Sequence, residues 1–294
     1  MKNLFEFIVE KAIFLSGAAS IIFVVLIFIF LLKEGLALFG EVNFFAFLFG
    51  QNWYPISDPP QFGILPLIMG SVFVTFGAIV IAVPLGLAAA IYISEVAPHS
   101  IRGFLKSGIE LLAAIPSIVL GFIGIIFLAP LLKNIFHLGS GLTALAGSIM
   151  LAFMALPTIV SIIEDAIVSV PRSYKEGALA LGATHWQAIY RVTIPAAASG
   201  ILAAVMLGIG RVVGETMAVL MITGNAAIMP TSLLQPVRTL TATVAAEMGE
   251  AVSGSSHYYS LFAIGIVLFI ISFIINIFAD IFLHRSKAMK RRKK

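Results

Sequence analysis

Two charged residues stand four apart in one of the most apolar stretches of this chain: Arg211 and Glu215, in GRVVGETMAVL, residues 210–220. At i and i+4 the two are expected to share one helical face, and the chemistry such a pair offers is ionic. A guanidinium presents planar, bidentate donors that match an oxyanion. A carboxylate beside it weakens the hold on that anion and accepts a hydrogen bond from a protonated oxygen. The other reading is structural: the charges neutralise one another and pin their helix to its neighbours. A single charge at the centre of a membrane-spanning helix costs about 2.5–3.5 kcal/mol on insertion scales. Exposed pairs at this spacing return only about 0.3–0.5 kcal/mol. On either reading the pair is expected to face protein or a wet cavity, not lipid.

Other chemistries lack their residues. No G-x-x-x-x-G-K-[ST] loop cradles a nucleotide and no G-x-S-x-G elbow carries a nucleophile. There is no cysteine, and His99, His137, His185, His257 and His284 are scattered without metal-ligand spacing. No metal site, no cofactor and no catalytic residue is expected in this chain. The remaining carboxylates read more blandly. Glu110 is expected to open the third span and favour its helix N-terminus. Glu164 and Asp165 read as solvated charges, and Glu95 as a helix-end charge or a contact for a partner protein on the cytoplasmic side. Arg238, Glu247 and Glu250 are solvated charges by default, or contacts for a protein outside.

The elements that must position these residues are membrane spans. Of the 294 residues, 60% are hydrophobic and 11% charged, and the mean hydropathy is +1.09. The apolar residues run in blocks of about 20, the length a hydrocarbon core about 30 Å thick requires of a helix. Six spans are expected, at about 12–33, 66–94, 109–131, 142–167, 195–222 and 259–283, so the fold class is an all-α integral membrane protein. The first run is too long for a signal-peptide core and lacks a following cleavage site, so it reads as a retained span. Pro84, Pro116 and Pro157 predict kinks; Gly208, Gly210 and Gly214 predict close approach by another backbone.

Lys and Arg set the orientation. With the N-terminus inside, only Lys33, Lys133 and Arg238 fall outside and only Arg211 lies within a span. The rest of the eighteen Lys and Arg lie inside. Both termini are therefore expected in the cytoplasm. The sequence pI near 9.4 reflects loops and the tail HRSKAMKRRKK, which points to anionic lipid and not to nucleic acid. Outside, residues 34–65 predict an interfacial helix and loop, with Trp53 and Tyr54 in the headgroup zone. Val237, Leu240, Val244, Ala245 and Met248 predict a short helix within 223–258.

The loop PRSYKEGALALGATHWQAIYRVTIP, Pro171 to Pro195, predicts a helix begun by a Ser173-x-x-Glu176 capping box, a turn at Gly182 and a second short helix. Taken alone it is either a docking surface or an amphipathic loop on lipid. Its pattern resembles the EAA loop of type I ABC importer permeases. Glu176, Gly177 and Ala178 stand for E-A-A, Gly182 for the glycine, and Val192-x-Ile194-Pro195 for I-x-L-P. Gly177, Val192 and Ile194 depart from the pattern, and Gly177 lowers helix propensity by about 1 kcal/mol relative to alanine. The stretches ELLAAIPSIVLGFIG (110–124) and GRVVGETMAVLMITGN (210–225) are similar to phosphate-specific permeases of this family, the latter to the C-type subunit.

The resemblance implies the type I permease fold. It divides the chain into an N-terminal span with an extracytoplasmic segment (1–64), a permease domain (65–283, with the coupling loop 171–195) and a basic cytoplasmic tail (284–294). It implies phosphate import across a prokaryotic cell membrane, with the loop coupled to an ATPase homodimer that uses ATP and Mg. It further implies a homologous A-type permease and an extracytoplasmic phosphate-binding protein. Import of another oxyanion, sulfate or molybdate, and a proton-coupled secondary transporter remain the alternatives.

Overall fold

The computed structural model describes residues 4–292; Met1–Asn3 and 293–294 lie outside the described residues, as do the side chains of residues 4–5, 279–280 and 282 onward. The basic tail is therefore placed only as backbone, continuing the last helix to Arg292. In chain order the elements are α1 (Leu4–Ala37), α2 (Phe44–Phe49), the strands β1 (Trp53–Tyr54) and β2 (Gln61–Phe62), α3 (Leu65–Ile91), α4 (His99–Ala114), α5 (Ser117–Ile123), α6 (Ala129–Ile135), α7 (Ala144–Val168), α8 (Arg172–Ala180), α9 (His185–Ala188), α10 (Ile194–Val213), α11 (Met217–Ile222), α12 (Leu240–Glu247) and α13 (Ser256–Arg292). Single π-turns follow α3, α5 and α9.

Six helical stretches among the described residues are long and apolar enough to cross a membrane. Their order matches the six expected spans; several ends do not. The third begins at Ser117, not at 109. Residues 99–114 form the separate amphipathic helix α4, and Pro116 breaks the chain where a kink was expected, because Ile115 must be extended before it. Glu110 thus sits in the C-terminal half of α4 and cannot serve a helix N-terminus. By contrast, α3 and α7 continue through Pro84 and Pro157.

The centre of the bundle is α7, packed between α3 and α10, with 67% of its most apolar stretch buried. Small residues set these contacts. A Cβ on Gly86 or Gly208 would come within 2.7 Å of Ile159, and Ser148, packed against Gly77, donates from Oγ to the Val74 carbonyl at 3.2 Å. Such close backbone approach is how membrane helices gain packing without a hydrophobic drive between them. Gly210 faces open space and Gly214 meets only its own helix, so of the three expected glycines only Gly208 packs within this chain. The first helix packs along α13, where Phe28 and Phe269 lie 4.5 Å apart, and is otherwise exposed.

The segment before α3 holds more structure than a helix and loop. Asn43 caps α2 by accepting from the Phe45 and Ala46 amides, and an antiparallel pairing of β1 with β2 follows. Trp53 is buried within the protein, at 2% exposure, whereas Tyr54 beside it is exposed.

Candidate functional site

Helix α10 runs about 30 Å along the bundle and ends at Val213. Gly214, Glu215 and Thr216 interrupt it before α11. The expected continuous span 195–222 is therefore broken at the charged segment, and Arg211 and Glu215 do not share a helical face. Arg211 is exposed in the last turn of α10, beside the open Gly210, where a cation suits the free carbonyls of a helix C-terminus. That position relieves much of the cost a mid-span arginine would carry. No ion pair joins it to Glu215 among the described residues. Glu215 is half-buried. Its Oε1 accepts weakly from the Ala218 amide, at 3.5 Å, over the first turn of α11.

A residue that periodicity could not point to completes this break. The Thr241 hydroxyl, 26 positions on, donates to the Glu215 carbonyl at 2.9 Å. Thr241 belongs to α12, whose N-cap is Thr239: its Oγ1 accepts from the Ala242 amide at 3.2 Å. The adjoining backbone is held on α3, because the Leu240 amide donates to Ser71 Oγ at 3.0 Å and a Cβ on Gly70 would overlap the Arg238 carbonyl. The expected helix in 223–258 is present as α12.

At the far end of α12, Glu247 gathers three partners. It pairs with Arg238 and with His257 Nε2 at 2.9 Å, and accepts from the Trp53 indole N–H at 3.1 Å. Arg238 also donates from Nε to the Asn225 carbonyl at 3.0 Å. Arg238 and Glu247 are therefore not solvated charges but a part-buried network; Glu250 is exposed. The sequence offered no signal for it, since its members come from three separate segments.

The opposite end of the bundle carries the 171–195 loop. Helix α8 starts directly after Pro171, with no side-chain cap. Ser173 is already inside the first turn, so the expected Ser173–Glu176 capping box does not form. The capping box in this loop is Thr184–Gln187, at the start of α9. Gly182 turns the chain with φ +86°. The Gly182 amide donates to the Leu179 carbonyl and the Ala183 amide to that of Ala178, at 2.9 and 3.1 Å, a Schellman ending that favours glycine there. Glu176 and Gly177 are exposed and Ala178 half-buried, while Val192, Ile194 and Pro195 lead from the π-turn into α10. Leu181, Trp186 and Tyr190 are strongly exposed on the same loop.

This loop is tied to the bundle by charge. Lys175 Nζ meets Glu95 at 2.5 Å, in the π-turn after α3. Lys106 of α4 meets Glu164 at 2.7 Å and Asp165 at 3.6 Å. Its hydrogen bond to Glu164 raises the Lys106 pKa above the ordinary amine value, with the charges of Glu164, Asp165 and Glu110 adding to it and burial opposing. Glu95 and Glu164 are thus paired carboxylates.

A six-span bundle with an exposed helix–turn–helix at one end and a broken, charged span reaching the other defines a membrane permease. Residues 82–288 match the family of binding-protein-dependent transport system inner membrane components, and the chain belongs to that family. It is a multi-pass inner-membrane protein. A probable ABC transporter permease protein of Bacillus subtilis, YqgH, is 43% identical over 85% of this chain and 82% of its own. The phosphate transport system permease protein PstC of Mesorhizobium japonicum is 40% identical over 87% of this chain and 82% of its own. Among solved structures, a bacterial alginate ABC transporter shares the fold, with TM-score 0.66 over 98% of both chains at 16% identity. A MetNI methionine ABC transporter chain gives 0.56 over 76% of this chain and 94% of its own at 20% identity.

Proposed function

We propose that this chain is the C-type permease subunit of an ATP-driven importer of inorganic phosphate. The observation that carries this reading is the exposed Arg211, without a carboxylate partner among the described residues, in a chain 40% identical to a PstC permease. An arginine free of carboxylate competition keeps its donors for an anion. Glu215, displaced from the helical face by the break, sits apart as an acceptor for the protonated oxygen of phosphate, which sulfate at neutral pH does not present.

The translocation path is shared with a homologous A-type permease, and a phosphate-binding protein delivers the anion outside. The end bearing α8 and α9 faces the cytoplasm, where Glu176 to Gly182 seat on an ATPase homodimer that uses ATP and Mg. Closure of that homodimer moves α8 as a lever, and the spans alternate their access around Arg211.

Labelled-phosphate uptake by the assembled importer tests this. Arg211→Gln is expected to abolish uptake while the complex still assembles. Glu215→Gln is expected to lower phosphate uptake and to lose discrimination between phosphate and sulfate. Unchanged uptake in Arg211→Gln, or unchanged affinity and selectivity in Glu215→Gln, would remove the respective residue from the path.

A further inference from the structure

Helix α12 is anchored at both ends to parts of the molecule that are far apart in sequence. At its start, Thr241 holds the Glu215 carbonyl at 2.9 Å, and Ser71 accepts from the Leu240 amide. At its end, Glu247 binds Trp53, Arg238 and His257. The helix has eight residues and is about 12 Å long, fully bonded within, so a displacement at one end is carried to the other.

We propose that Thr241 is a positioning residue for the charge site: its hydroxyl fixes the break that carries Glu215, and α12 links that bond to the Glu247 cluster. The proposal rests on the reading of Glu215 as part of the anion path. Three features support it. The break frees the Glu215 carbonyl from a continuous helical ladder, so its direction is set by the group that hydrogen-bonds it. That group is a side chain on a separate element, so the carboxylate position depends on where α12 lies. The cluster at the other end includes Trp53, from the segment preceding α3, so the strut reaches two of the segments at that end of the bundle.

The test uses the complete importer, reconstituted with its ATPase and binding protein in proteoliposomes, with labelled inorganic phosphate as probe. Thr241→Val keeps the shape and removes the donor; Thr241→Ser keeps the donor. The valine variant is expected to assemble and to lower phosphate uptake about tenfold or more, as sub-ångström misplacement of a working group does, and the serine variant to stay within about twofold of the parent. If Thr241 acts through Glu215, Thr241→Val adds no further loss in a Glu215→Gln background. Glu247→Gln is likewise expected to lower uptake, non-additively with Thr241→Val.

Normal uptake by Thr241→Val, beside a defective Glu215→Gln, overturns the positioning role and leaves the path intact. Fully multiplied losses in the double variant overturn it too, as does a Thr241→Val complex that fails to assemble, which would assign the hydroxyl to folding. Unimpaired transport by Glu215→Gln removes the path reading itself, and the strut's purpose with it.

Discussion

Gly182 and Gly177 show how two glycines in one loop do different things. Gly182 has φ +86°, a conformation that costs a residue with a Cβ about 1–2 kcal/mol. Gly177 lies within α8 with nothing near its missing Cβ, so alanine there removes backbone entropy at no steric cost. Gly182→Ala is therefore expected to speed hydrogen exchange of the 171–195 amides, by about 5–30-fold in the free permease. Gly177→Ala should slow it. Equal effects of the two substitutions would show that the Schellman ending does not set the loop's stability. The same scale explains Arg211: at a helix end it is stabilised by nearby carbonyls, whereas the unbroken span implied by hydropathy would have left it mid-membrane.

At the scale of elements, the Lys175–Glu95 pair is the ion pair that ties α8 to the bundle among the described residues. Its side chains are 28% and 11% exposed, so removing the lysine strands a largely buried carboxylate, at about 1–3 kcal/mol. Lys175→Met is expected to lower phosphate transported per ATP hydrolysed. The reciprocal pair Lys175→Glu with Glu95→Lys should restore a good part of it. If coupling is unaltered in Lys175→Met, the lever works through apolar contacts alone. Glu95 itself lies in the π-turn Tyr92–Val96 that follows α3, a distortion found often at functional sites.

For the whole molecule, the charge bias makes a prediction about sidedness. The chain contains no cysteine, so one introduced thiol reports one loop. Ser100, at the start of α4, and Ser253, between α12 and α13, are both exposed and sit at opposite ends of the bundle. A membrane-impermeant maleimide on intact cells is expected to label Ser253→Cys but not Ser100→Cys until the membrane is opened. The reverse pattern would invert the topology and place the 171–195 loop outside, away from any ATPase.

Much of this architecture was legible in the sequence because it depends on one-dimensional quantities. Apolar block length determines that six helices span. The glycine at 182 determines where the loop turns. The EAA-type spacing in the 171–195 loop points to the family that the match over residues 82–288 shows. The places where the sequence reading failed share a cause: local rules assume that an element continues. Hydropathy carries the third span through Pro116 and the fifth through Gly214, and the S-x-x-E pattern puts a helix start at Ser173 where Pro171 already sets it. Whether a chain breaks at such points depends on whether other segments satisfy the freed backbone groups. At Glu215 that partner is Thr241, 26 residues away; at Glu247 the partners come from residues 53, 238 and 257. Composition and spacing thus determined the class of protein, its spans and the place of its helix–turn–helix loop. Only the tertiary structure decided that Arg211 and Glu215 stand apart, because hydrogen bonds between distant segments hold the break that separates them.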